Sequence, residues 1–180
     1  MKIFTLVGGI SKNSLNKKLY KAVKALAPTQ AQVETFDISQ LPYYSQDIEH
    51  NPPEIVRQYK DKIKEAQAVL FITPEYNRSF PGVLKNALDW GSRPYGHNLW
   101  NGKPAAVMGA STGSIGTFGA QHHLRQSLVY LNVHTMGQPE FYFNASKSFN
   151  EQGELTDETT KKLIHQYWEA FIKHIEMVQK

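Results

Sequence analysis

The chain has 180 residues, enough to bury a substantial core without covalent or metal staples, and reads as one domain. Hydrophobic residues make up 41% and charged residues 20%, the balance of an ordinary globular protein, and the lack of cysteine excludes a disulfide framework, a cysteine nucleophile and thiolate metal sites. The formal net charge of +4 is spread over helix faces (Lys17, Lys18, Lys21 and Lys24; Lys60, Lys62 and Lys64; Lys161 and Lys162) and no nucleic-acid motif accompanies it, so nucleic acid is not expected as a partner. The apolar start at residues 3–7 is too short for a signal peptide and no stretch approaches a membrane span, which sets a cytoplasmic expectation with no membrane partner.

Residues 2–7 form the first predicted strand and run into Gly8-Gly9. Ser14 or a neighbour caps a helix in which Leu15, Leu19, Val23 and Leu26 recur at helical spacing, and Pro28 closes it. A second strand is expected over residues 32–38, followed by an irregular segment at 41–49. Asn51-Pro52-Pro53 opens a second helix with the stripe Ile55, Val56, Tyr59, Ile63 and Ala66. Residues 68–73 form an unbroken apolar run, the pattern of a central parallel strand covered on both faces. A helix then starts near Val83, and an aromatic-rich irregular stretch covers residues 92–102.

The fourth strand is expected at 105–110, followed by a small-residue loop and a helix to about Leu131. The fifth strand falls within 133–143, interrupted by Gly137 and Pro139. Thr156 is the expected cap of a last helix, whose stripe is Leu163, Ile164, Tyr167, Trp168, Phe171, Ile172 and Ile175. Five strands alternating with helices specify a doubly wound α/β fold, a flavodoxin-like parallel sheet with helices on both faces.

Three strand ends carry unusual loops, and open α/β sheets bind ligands at their carboxyl edge. Gly8-Gly9-Ile10-Ser11-Lys12-Asn13-Ser14-Leu15-Asn16 offers backbone amides, hydroxyls and a helix N-terminus, a combination suited to phosphate, but it is neither a dinucleotide fingerprint nor a Walker loop. Pro74-Glu75-Tyr76-Asn77-Arg78-Ser79 crowds polar groups and an aromatic face at the third strand end. Gly109-Ala110-Ser111-Thr112-Gly113 matches the Gly-x-Ser-x-Gly elbow of serine hydrolases, with Asp157 and then His165 or His174 following in triad order. Both histidines fall on the last predicted helix, and a hydrolase leaves the other two loops without a role. His122 and His123 point about 100° apart on one helix and cannot chelate one ion from it, so no metal is expected.

The first loop, the run Thr73-Pro74-Glu75-Tyr76-Asn77-Arg78-Ser79 with Pro81-Gly82-Val83-Leu84-Lys85-Asn86-Ala87-Leu88-Asp89-Trp90, and Gly109-Ala110-Ser111-Thr112-Gly113 resemble the NADPH-dependent FMN reductase family, which includes bacterial quinone, azo and chromate reductases. Gly102-Lys103-Pro104, residues 121–126 and Leu155-Thr156-Asp157 share the likeness. The resemblance implies bound FMN with NADPH or NADH as co-substrate and a small-molecule acceptor such as a quinone, flavin or azo compound. It places Gly9, Ser11, Ser14, Leu15 and Asn16 at the FMN phosphate, Pro74, Glu75, Tyr76, Asn77 and Ser79 along the isoalloxazine ring, and Ser111, Thr112, Gly113 and Gly116 at its other edge. Where members commonly carry an arginine in the first loop this chain has Ser11, and the alternatives are that Lys12 supplies the charge or that the phosphate is held more weakly. The flavin carries the chemistry, so no side chain is nominated as catalytic. A homodimer or homotetramer is implied, with residues 41–49 and 92–102 at its interface and at the site rim. A flavodoxin-like electron carrier is the further alternative.

Overall fold

A computed structural model describes all 180 residues. Six strands, β1 (Lys2–Val7), β2 (Gln32–Thr35), β3 (Ala68–Ile72), β4 (Pro104–Ser111), β5 (His134–Thr135) and β6 (Tyr142–Asn144), alternate for most of the chain with five helices. These are α1 (Leu15–Ala25), α2 (Glu54–Glu65), α3 (Gly82–Ser92), α4 (Phe118–Tyr130) and α5 (Glu158–Val178). Every pairing is parallel and the strands lie in the order β2-β1-β3-β4-β5.

The expected fifth strand is two short pieces, both held by β4. β5 pairs with its start at Pro104 and Ala105, and β6 with its end from Gly109 to Ser111. Pro139, which has no N–H to give to a ladder, lies in the gap, and the Gln138–Pro139 bond is cis.

The unbroken apolar strands are explained by what covers them. Alternate residues of each strand feed two cores of nearly equal size, 21 and 20 buried residues, so neither sheet face is solvated. Ile3, Leu70, Ile72, Ala106 and Met108 pack under α1 and α5, while Phe4, Leu6, Val69, Phe71, Ala105 and Val107 pack under α2, α3 and α4. In α5 the stripe is buried except for Leu163, which lies half exposed. Buried aromatic polar groups find carbonyls: the Tyr59 hydroxyl donates to Ala87 O at 2.9 Å, Tyr167 to Val107 O at 2.8 Å and Trp168 Nε1 to Val23 O at 3.0 Å.

The irregular segments are less loose than they read. Trp90 Nε1 and Asn86 Nδ2 both donate to Pro42 O, and the Tyr44 amide donates to Asn86 Oδ1, which binds residues 42–44 to α3. Trp100 is fully buried against Gly91, where an added Cβ would meet the indole at 2.5 Å, and its Nε1 donates to Leu88 O. No helix is long and apolar enough to cross a membrane.

Candidate functional site

Because the strands are parallel, β1, β3 and β4 deliver their following loops, residues 8–14, 73–81 and 112–117, to one edge of the sheet. The loops touch one another. A Cβ on Gly8 would lie 3.0 Å from Pro81 Cγ and 3.3 Å from Pro74 Cδ, so the first loop packs directly on the second. At Gly109 a Cβ would meet Thr73 O at 2.2 Å and Thr117 Oγ1 at 2.1 Å, leaving no room for a side chain between the second loop and the third. Gly109 is thus required by packing, which accounts for the first glycine of the elbow-like motif without a nucleophile.

The first loop is an open set of donors. The N–H groups of residues 9–13 and of Leu15 have no protein acceptor, and they precede the N-terminus of α1. Ser14 is the N-cap: its Oγ accepts from the Asn16 amide at 3.2 Å and the Lys17 amide at 3.4 Å, which leaves the hydroxyl proton free to donate outward. A Cβ on Gly9 would meet Ser14 Oγ at 2.1 Å, so glycine lets the loop close over its cap. These features fit a phosphate.

The Asn16 side chain, expected at the phosphate, is engaged inside the protein. Its Nδ2 donates to Ala110 O and its Oδ1 accepts from Ala110 N, both at 2.9 Å, and it is 2% exposed. Its side chain locks α1 to β4 and its amide caps onto Ser14, so it supports the donor loop from beneath. Lys12 is exposed with no partner, while Lys17 reaches back to place its Nζ 2.7 Å from Ile10 O. The Ser39 hydroxyl, with smaller help from other donors and from Lys17, holds the nearby Asp37 carboxyl below the usual range. Lys17 was not singled out in the sequence; its position in the first turn after the cap was the available signal.

The second loop forms a tight hairpin. The amides and carbonyls of Tyr76 and Ser79 exchange hydrogen bonds of 2.9 and 3.0 Å around Asn77 and Arg78, which both have positive φ (50° and 64°), as in a type I′ turn. Tyr76 is more than half exposed on this hairpin. Glu75 is engaged within the protein: Oε2 accepts from the Ala120 amide of α4 at 3.1 Å and Oε1 from Arg78 Nη1 at 2.9 Å. Ser79 Oγ lies 3.0 Å from His123 Nδ1. Pro74 is buried at the root of the loop.

In the third loop Ser111 Oγ has only Gly113 as a partner, accepting from its amide at 3.2 Å, and Thr112, Gly113 and Ser114 are exposed. Gly116 has φ of 61°, and a Cβ there would meet Tyr142 C at 2.5 Å. The hydrolase reading fails on position. His174 Nε2 contacts His134 O at the start of β4's neighbour, and His165 lies near Pro28 beyond the end of α1. Ser111 is at the opposite end of the eight-residue strand β4, roughly 20 Å from its start. No group of three or more His, Asp or Glu side chains is placed to hold a metal.

Residues 1–148 match the family model for NADPH-dependent FMN reductase. A 2-hydroxy-1,4-benzoquinone reductase of a Burkholderia species is 44% identical over 172 residues, covering 95% of this chain and 94% of its own. A quinone reductase of Pseudomonas putida is 48% identical over 159 residues, covering 87% of this chain and 86% of its own. Among solved structures, the flavoenzyme NAD(P)H:(acceptor) oxidoreductase FerB of Paracoccus denitrificans superimposes with a TM-score of 0.92 at 42% identity, covering 98% of this chain and 97% of that one. A flavodoxin from Pseudomonas aeruginosa shares the fold at 18% identity with a TM-score of 0.60. With its donor loop, hairpin and third loop locked together at one sheet edge, the chain belongs to the NADPH-dependent FMN reductase family.

Proposed function

We propose that the 180 residues form a single FMN-binding domain that oxidises NAD(P)H and passes the electrons to a quinone or a similar small acceptor. The observation that carries this reading is the run of unpartnered amides at residues 9–13 beside the free hydroxyl of Ser14, joined by packing to two further loops. Ser11, Ser14 and the free amides of residues 9–13 and of Leu15 hold the FMN phosphate. The hairpin of Pro74, Tyr76, Asn77 and Ser79 lines the ring, and Ser111, Thr112, Gly113 and Gly116 line its other edge. Lys17 supplies positive charge close to the first loop. FMN when bound supplies the hydride chemistry, and the protein's part is binding, orientation and electrostatics. The similarity to a benzoquinone reductase and a quinone reductase favours quinones over other acceptors.

Purified protein is expected to be yellow with a flavin spectrum, and to oxidise NAD(P)H faster when a benzoquinone is added. Colourless protein that takes up no FMN overturns the reading. Steady turnover without a partner reductase separates it from an electron carrier. We assign the protein to the cytoplasm as a homodimer or homotetramer. A groove of 580 Å³ between α3 and α4, bordered by Tyr95 and Tyr130, each more than 80% exposed, is the surface offered to a second copy. Light scattering on the purified chain tests this, and a monomer at micromolar concentration excludes it.

A further inference from the structure

The helix that follows the third loop does not cap itself. Thr117, the N-cap residue of α4, makes no side-chain bond to the helix amides; its buried hydroxyl accepts from Gln121 Nε2 at 2.9 Å instead. The Ala120 amide is taken by Glu75 Oε2 at 3.1 Å, from a loop 45 residues earlier. The same carboxylate receives Arg78 Nη1 at 2.9 Å through its other oxygen, and its side chain is 11% exposed. Gly119 completes the contact: a Cβ there would lie 3.2 Å from Arg78 O and 3.3 Å from Glu75 Oε2, so hairpin and helix meet almost backbone to backbone. His123 adds a second strut to Ser79 one turn further along.

We propose that Glu75 is a positioning residue that joins the two walls of the ring site, so that the hairpin after β3 and the loop before α4 move as one body. The physical reason is that one carboxylate satisfies donors from both. It sits at the positive end of α4, where a negative charge is favoured, and its other oxygen accepts from the side chain of Arg78, at the turn of the hairpin. With residue 120 pinned, the exit of the 112–117 loop is fixed relative to the hairpin. The proposal rests on the flavin reading of the site.

Two variants test it. Glu75→Gln keeps an oxygen to accept from Ala120 and loses the charge; Glu75→Ala loses the bridge. FMN affinity is read by fluorescence titration of apoprotein, and amide exchange at Ala120 by NMR on the same apoprotein. Glu75→Ala is expected to bind FMN about tenfold more weakly and to exchange faster at Ala120, the size of effect that losing a helix cap produces. Glu75→Gln is expected to recover most of both. Parental affinity in Glu75→Ala, or a Gln variant as weak as the Ala variant, overturns the proposal. Failure of the parent chain to bind FMN overturns the flavin reading by itself. Exchange at Ala120 then still decides whether Glu75 clamps the helix: faster in Glu75→Ala supports the clamp, and equal rates overturn it.

Discussion

At the scale of single residues, side chains that look alike in sequence do different work. Ser14 and Asn16 sit two positions apart at the start of α1 and both are buried, yet Ser14 caps the helix amides while Asn16 binds the backbone of β4. Asn16→Ala is expected to leave the Ala110 amide and carbonyl without their present partners, at about 1–3 kcal/mol, measured by urea denaturation of apoprotein. A loss below the error of the method would show that water replaces the side chain. Gly109→Ala is expected to cost more than an exposed glycine substitution, because its Cβ would meet a backbone oxygen, Thr73 O at 2.2 Å, that cannot rotate aside. A folded variant with an unchanged melting temperature would contradict that packing. Neither role was legible in the sequence. A motif reports which residues sit together in the chain, and Asn16 is explained by a partner 94 positions away.

At the scale of elements, most of what the apolar patterns specify is present. The centres of the α1, α2 and α5 stripes are buried where their periodicity puts them, with Leu15, Leu26 and Ile55 partly buried and Leu163 exposed at their edges, because an amphipathic face has one favourable place to go. What failed were ends and short pieces. The cap of α5 is Asp157, one residue beyond the expected Thr156; its carboxylate accepts from the Thr159 and Thr160 amides and from the Thr160 hydroxyl. Those bonds, that of the Thr160 hydroxyl first, hold the Asp157 pKa below its ordinary value. A carboxyl whose pKa is lower folded than unfolded contributes stability that is present above about pH 3.9 and is lost as pH falls through the folded value. Asp37 acts in the same sense. Asp157→Asn retains a capping side chain and removes the titration, so its melting temperature is expected to fall less than the parent's between about pH 5 and pH 2. An identical fall in both proteins would show that Asp157 contributes nothing to acid unfolding.

At the scale of the whole molecule, the parallel α/β architecture was readable because five apolar strands covered on both faces admit few other arrangements. The contact of the three loops was readable only as a consequence of that topology, and the resemblance to FMN reductases added the ligand. The bridges that hold the loops together, through Glu75, Gly109 and Asn16, are long-range and leave no local pattern. Ligand binding confined to the folded state stabilises the whole molecule by mass action. Free FMN at about 100 times its dissociation constant is expected to add about 2.7 kcal/mol, seen as a melting temperature that climbs with FMN concentration. A melting temperature independent of FMN would separate the site from global stability.

The Asn16–Ala110 pair has a bearing on how the protein is made. Its two hydrogen bonds join α1 to β4, so they cannot form until the fourth strand has docked. During synthesis the first donor loop emerges early and must wait for nearly 100 further residues before its supporting strand exists. Cofactor uptake at this loop is therefore expected only after β4 has docked. A nascent chain stalled before residue 104 would carry every group expected at the phosphate and still lack the strand that holds them in place.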